Sequence, residues 1–142
     1  MWTTPKTNWK SSDIVYLEDW QRWVNNALHL YNLLGEPFEW LECSLGSKWD
    51  IPYCDVVNNL ESNLGKLCSS MQNTSIEFTQ KTWYPVVNTN WKGNNPSYVD
   101  FNRWEQFEQA VYSMLVSPQI LRSGNFTAGQ NRVRQTLGRS VN

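Results

Sequence analysis

An acidic residue, an arginine and a tryptophan recur together twice in this chain. Asp19 precedes Arg22-Trp23, and Asp100 precedes Arg103-Trp104. At i, i+3 spacing the acid and the guanidinium are neighbours on one helix face, where an isolated pair contributes only about 0.2–0.5 kcal/mol. The chemistry such a residue offers is recognition, because the planar guanidinium fork grips a carboxylate or carbonyl in a fixed orientation. Arg22 and Arg103 are therefore expected to reach either the next copy of the repeat or the next subunit. Trp23 and Trp104 are expected to pack beside them at that interface. Asn59 stands at the arginine position of a weaker middle copy and cannot play the same part.

Catalytic chemistry finds less support. His29 is the only histidine and lies between Leu28 and Leu30 with no serine, cysteine or carboxylate pattern around it, which favours a structural role. No Walker loop, GxGxxG, HExxH, GxSxG or EF-hand loop is present. Glu36, Glu39 and Glu42 follow Pro37-Phe38 and flank Trp40, a mixture of carboxylates and rings reminiscent of sugar-binding clefts. Glycoside hydrolysis needs a defined carboxylate separation in space, which spacing along the chain does not supply. Cys43, Cys54 and Cys68 are odd in number and lack CxxC spacing, so they read as reduced small hydrophobes and as neither a disulfide framework nor a zinc site. The expectation is a protein without cofactor or metal, and not an enzyme.

The elements that hold these residues are repeated. Asn8-Trp9-Lys10 followed by Asp19-Trp20-Gln21-Arg22-Trp23 returns as Asn90-Trp91-Lys92 followed by Asp100-Phe101-Asn102-Arg103-Trp104, with one residue lost between the blocks. A degenerate middle copy leads from Trp49 into Pro52-Tyr53, and matches the last copy at Asn58 for Asn102 and at Glu61 for Glu105. A repeat of this size is one supersecondary unit that cannot bury its own apolar face, so copies pack on one another.

In the first copy Leu17, Trp20, Trp23, Val24, Ala27, Leu30, Tyr31 and Leu34 follow helical periodicity, and Gly35 with Pro37 marks the stop. The middle helix should start near Pro52 or Asp55 and carry Val56, Val57, Leu60, Leu64, Leu67 and Met71 inward, with Gly65 a weakness unless something approaches closely there. In the last copy Ser97 to Asp100 approximates a capping box, and the stripe through Phe101, Trp104, Phe107 or Glu108, Val111, Met114 and Leu115 ends before Pro118. Stretches bearing Trp9, Trp49 and Trp91 precede the helices, and Ile76 to Thr79 before Trp83 alternates like a short strand. The predicted architecture is mainly α: a three-helix bundle built from three degenerate repeats, whose connectors lie across it and tuck Trp rings against the helix starts, with an extended C-terminal arm.

Charge divides the chain as well. Residues 1–116, read as the helical body, hold all thirteen acidic residues against eight basic ones, whereas 117–142 hold four arginines and no acid. That basic arm, through Phe126, Arg132 and Arg134, is expected to dock on a neighbouring subunit. Nucleic acid is a poor partner for it, since the acidic body repels phosphate and four arginines are few. No secretory signal is evident at the start and no apolar run approaches the ~18 residues that cross a bilayer, so no membrane partner is expected. Nine tryptophans exceed what so short a core requires and leave rings for partners, glycans among them.

The pattern of a Trp-bearing extended stretch, a Tyr-containing entry and then D-x-N-R-[hydrophobic]-E opening a helix resembles small repeats in structural proteins of phages that infect Gram-positive bacteria, particularly tail, baseplate or fibre components. Tyr98-Val99-Asp100-Phe101-Asn102-Arg103-Trp104-Glu105 is its fullest copy; the first keeps Asp19, Arg22 and Trp23, and the middle keeps Asn58, Leu60 and Glu61. The resemblance covers most of residues 5–116. It implies a virion protein, located in the particle, that assembles in multiple copies with other virion structural proteins. A head fibre or capsid decoration protein is the alternative within that class, and an aromatic-rich carbohydrate-binding module the alternative outside it.

Overall fold

The computed structural model describes residues 2–46, 54–71, 74–84 and 95–117. They form three helices: α1 (Leu17–Leu33), α2 (Cys54–Ser69) and α3 (Tyr98–Val116). The acids of the repeat serve first as helix starts. Asp19 accepts a hydrogen bond from the Tyr16 amide at 2.8 Å, and Asp100 from the Ser97 amide at 2.9 Å, each satisfying a donor that the first helical turn leaves without a partner. The capping box at Ser97 is half realised, for its hydroxyl accepts from the Val99 amide rather than from Asp100. α1 ends as its sequence dictates: Gly35 adopts φ 81°, and the amides of Gly35 and Glu36 turn back onto the Asn32 and Tyr31 carbonyls at 3.1 and 2.9 Å.

The expected stripes form the core. Trp20, Trp23, Val24, Ala27, Leu30 and Tyr31 of α1, Val57, Leu60, Leu64 and Leu67 of α2, and Trp104 and Phe107 of α3 are all buried. Val56 lies only half-buried, as do Leu17, Leu34, Phe101, Met114 and Leu115, and Met71 falls beyond the end of α2, so the stripes are narrower than expected. Gly65 does have a close neighbour, though not a helix: a Cβ there would stand 2.5 Å from the Gln80 side-chain oxygen of the following connector. The fold is thus a mainly α three-helix bundle.

The course of the connectors departs from expectation. Segment 38–43 meets α1 at Tyr31 and then Trp20, and α2 at Lys66, Asn63 and then Asn59. It therefore runs opposite to both helices, which makes α1 and α2 parallel. Segment 76–83 meets α2 at Cys68, Glu61 and then Asn58, and α3 at Phe107, Arg103 and then Asp100, so α3 runs the same way. Segment 3–9 likewise passes Asn26 of α1, then Glu105 and Asn102 of α3. Each connector lies along the groove between two parallel helices, rather than across the bundle. Parallel helices joined in sequence require a return path, and the groove is the one that buries the connector's rings.

The strand expected at Ile76–Thr79 and Trp83 is absent among the described residues, because a groove between helices offers no strand edge. Side-chain amides take that role. Asn26 accepts from the Thr3 amide and donates to the Thr3 carbonyl, at 2.8 and 2.7 Å. Asn102 holds Trp9 in the same way at 2.7 and 3.0 Å, Asn58 holds Trp83 at 2.7 and 3.0 Å, and Asn63 holds Leu41 at 3.1 and 2.8 Å. One carboxamide thereby satisfies both backbone groups of one connector residue, as a neighbouring strand would.

The chain divides into two compact units, Met1–Gln109 and Ala110–Asn142. Of the second, the described part is the end of α3 and Ser117, so Phe126, Arg132, Arg134 and the expected arm lie outside the described residues, as do Trp49 and Trp91.

Candidate functional site

Two fully buried glutamates organise the grooves. Glu105 of α3 receives four hydrogen bonds: Lys6 N–H at 3.0 Å and Arg22 Nε at 2.8 Å on Oε1, and the Trp9 indole at 2.6 Å and Arg22 Nη2 at 2.8 Å on Oε2. Glu61 of α2 is held similarly. Lys81 N–H at 3.1 Å and Arg103 Nη1 at 3.0 Å reach Oε1, while the Trp83 and Trp104 indoles at 3.0 and 2.9 Å and Arg103 Nη2 reach Oε2. A carboxylate offers about four lone-pair positions. Both are filled with donors, which leaves no oxygen to take a proton from a substrate.

These clasps account for the whole D-x-N-R-x-E pattern of α3. Asp100 caps the helix and pairs with Arg103 and Lys81 at 3.0 and 2.8 Å; Asn102 holds Trp9; Arg103 crosses to α2; Glu105 receives Arg22 from α1. Burial alone would raise the Asp100 pKa, but the bonds from Lys81, the Ser97 amide and Arg103 outweigh it and hold the carboxyl below its ordinary value. Hydrogen bonding to Glu105 raises the Arg22 pKa, while at Arg103 burial works against the charge and is overcome by Glu61.

Aligned by their repeats, the helices make a ring of contacts with one gap. Arg22 of α1 binds Glu105 of α3, and Arg103 of α3 binds Glu61 of α2, at 2.8 and 3.0 Å. The third contact would run from position 59 of α2 to position 24 of α1, where Asn59 and Val24 stand instead. Arginine and glutamate are missing together, and the groove between α1 and α2 is correspondingly less polar. Asn59 donates to the Glu42 carbonyl at 3.0 Å, the Trp20 indole to the Cys43 carbonyl at 2.8 Å, and Cys43 is buried. Losing only one of the pair would strand a buried charge, at a cost of about 3–5 kcal/mol.

Near this groove lies Glu108, fully buried, with neither carboxylate oxygen hydrogen-bonded. Burial, and then the charge of Glu105, push its pKa well above the ordinary glutamate value, only partly offset by Arg22. The Cys43 thiol is pushed up to about 12, mainly by burial, with Glu108 contributing. The thiol is therefore protonated at physiological pH and a poor nucleophile.

Of the expected site residues, Arg22 and Arg103 meet other copies of the repeat within the same chain, the last copy at Glu105 and the middle copy at Glu61 rather than the next one, and Trp23 and Trp104 are buried in one ring cluster with Trp9, Trp20 and Phe101. In the Glu36, Glu39 and Glu42 stretch, Glu42 accepts from the Ser44 hydroxyl at 2.7 Å and Trp40 packs against Tyr31. No metal-binding group of three or more His, Cys, Asp or Glu occurs among the described residues. Sequence reasoning missed the glutamates as hubs and the asparagines as clamps. A signal was present: Lys6-Thr7-Asn8-Trp9 returns, one residue shorter, as Lys81-Thr82-Trp83, and it is these two stretches that the glutamates bind.

The fold and the clasps define a class, a parallel three-helix bundle whose grooves are filled by its own connectors. Neither a family model, nor a curated protein, nor a solved structure matches the chain.

Proposed function

We propose that this protein is a non-enzymatic virion structural subunit, a small tail or baseplate component that attaches or spaces fibres and assembles in several copies with other phage structural proteins. The observation that supports the reading is the employment of the repeat motif. Every polar member of D-x-N-R-x-E in α3 joins one element to another, and both hub carboxylates are saturated by donors of the same chain. Residues spent wholly on joining modules suit a building block. The phage-repeat resemblance supplies the setting, and the basic segment after Pro118 supplies a means of docking on an acidic neighbour.

The test is to label intact particles with a gold-conjugated antibody to this chain and to assay a variant lacking residues 118–142. Gold at the tail tip and loss of the truncated, still helical chain from particles would support the reading. Absence of gold from particles would overturn it, and gold on the capsid would make the chain a head fibre or decoration protein.

A second reading has its own observation. Tyr16, Tyr84 and Tyr98 are 61%, 58% and 40% exposed, and exposed rings serve as stacking platforms for sugars. Quenching of aromatic fluorescence by glycans would favour this carbohydrate-binding role.

A further inference from the structure

Segment 2–9 and the groove between α1 and α3 relate to each other as ligand and receptor. The groove reads backbone and side chain together. Asn26 and Asn102 each grip both polar backbone groups of one residue, Thr3 and Trp9, and Glu105 takes the Lys6 amide and the Trp9 indole. The Trp9 ring then packs edge-on against Trp23 and Phe101, with centroids 5.9 and 5.4 Å away. The groove between α2 and α3 applies the same rule to Lys81-Thr82-Trp83. The recognised chemistry is an extended peptide gripped by its backbone amides and carbonyls, with a tryptophan whose indole N–H reaches the buried glutamate.

A single linker, residues 10–16, ties this segment to α1. A turn reverses the chain there, held by the Asp13 amide on the Lys10 carbonyl at 3.0 Å and the Lys10 amide on the Asp13 carboxylate at 2.8 Å. Immediately after the turn come three consecutive large apolar residues in water: Ile14, Val15 and Tyr16 are 68%, 40% and 61% exposed. Packing within one copy does not explain them. They become useful if the turn opens, for in a symmetric pair the two straightened linkers would lie side by side and cover each other's apolar residues. Exchange of an identical segment reuses the clasp contacts of the closed copy, so opening gives up only the turn's own bonds and the Lys6–Asp13 ion pair at 3.2 Å.

We propose that the groove between α1 and α3 is a peptide-binding site that accepts segment 2–9 of a second copy, so that two copies exchange these segments through an opened 10–16 linker. This rests on the multi-copy assembly reading.

The exchange can be read by cross-linking the full chain at surface positions that leave the clasp intact. Thr7 and Gln106 are exposed and adjacent, the Gln106 side-chain amide donating to the Thr7 carbonyl at 3.4 Å. Thr7→Cys and Gln106→Cys chains would be made singly, mixed, refolded together at high protein concentration and oxidised, with the natural chain carried through as the control for Cys43, Cys54 and Cys68. The expected product is a species of twice the chain mass whose disulfide joins positions 7 and 106. Its yield should fall several-fold when Ile14, Val15 and Tyr16 are changed to serine. The proposal is overturned if the double variant closes its disulfide within one chain while the mixture of single variants yields no 7–106 cross-link. Purified protein suffices, so a negative result here stands apart from where gold labelling places the chain in a particle.

Discussion

At the scale of single residues, the fold contains two kinds of buried carboxylate with opposite consequences. Glu61 and Glu105 are ionic hubs, each held by an arginine and further N–H donors. Replacing Arg103 with alanine strands Glu61 among its remaining donors, and the expected loss is about 3–5 kcal/mol in a urea titration followed by circular dichroism. Glu108 is the other kind, buried without a hydrogen-bonding partner beside Glu105, Arg22 and Cys43. Its folded pKa lies above its unfolded value, so its contribution to stability is fully present below the unfolded value and is lost as pH rises toward the folded one. Stability should fall by up to about 1.4 kcal/mol per pH unit above roughly pH 4.5 from this group alone. Glu108→Gln should flatten that slope and melt higher than the natural chain at pH 8, with a smaller difference at pH 5. Parallel stability curves for the two chains between those pH values would show that Glu108 does not hold its proton in the folded state. Asp100 has the opposite sign: its pKa is depressed, so its contribution is present above the ordinary carboxylate value and is lost as pH falls through the folded one.

At the scale of elements, the grooves show why helices were legible in the sequence and connectors were not. A helix announces itself through the spacing of its apolar residues, and the stripe from Trp20 to Tyr31 and that from Val57 to Leu67 follow from periodicity alone. The connectors have no period. Ile76 to Thr79 alternates as a strand does, yet its partners are a helix face and the side chains of Arg103 and Phe107. Asparagines in helix interiors read as poor helix formers, and their spacing carries no hint that Asn26, Asn58, Asn63 and Asn102 replace a neighbouring strand. Arg22 and Arg103 were recognisable as cross-linking residues, but their acceptors were not, because Glu105 and Glu61 lie 83 and 42 residues away. The clamp makes a separable prediction. Asn63→Ala removes both bonds to Leu41 and leaves a partly buried N–H and C=O to find other partners, at about 1–3 kcal/mol. Native-state hydrogen exchange should then show the Leu41 amide opening by local motion while the α2 amides keep most of their protection; uniform loss across α2 would mean that the asparagine supports the helix rather than the connector.

At the scale of the whole repeat-built unit, the missing third clasp tests whether the ring of helix contacts is a true repeating design. If copies are equivalent, the gap between α2 and α1 has the geometry of the two occupied contacts and lacks only the residues. Val24 is 3% exposed and occupies the glutamate position, and Asn59 occupies the arginine position. Val24→Glu alone puts a carboxylate into an apolar groove with no guanidinium opposite, and should cost about 3 kcal/mol or more. Asn59→Arg alone loses the bond to the Glu42 carbonyl but can direct its long side chain to water, and should cost about 1 kcal/mol. Combined, the two should recover stability, with a favourable coupling of about 1–3 kcal/mol in a double-mutant cycle. Recovery would be incomplete, because the hub glutamates also receive connector indoles, whereas at this groove the segment around Cys43 brings backbone carbonyls. Strict additivity of the two substitutions would sink the equivalence, leaving Arg22–Glu105 and Arg103–Glu61 as two separate solutions rather than two copies of one.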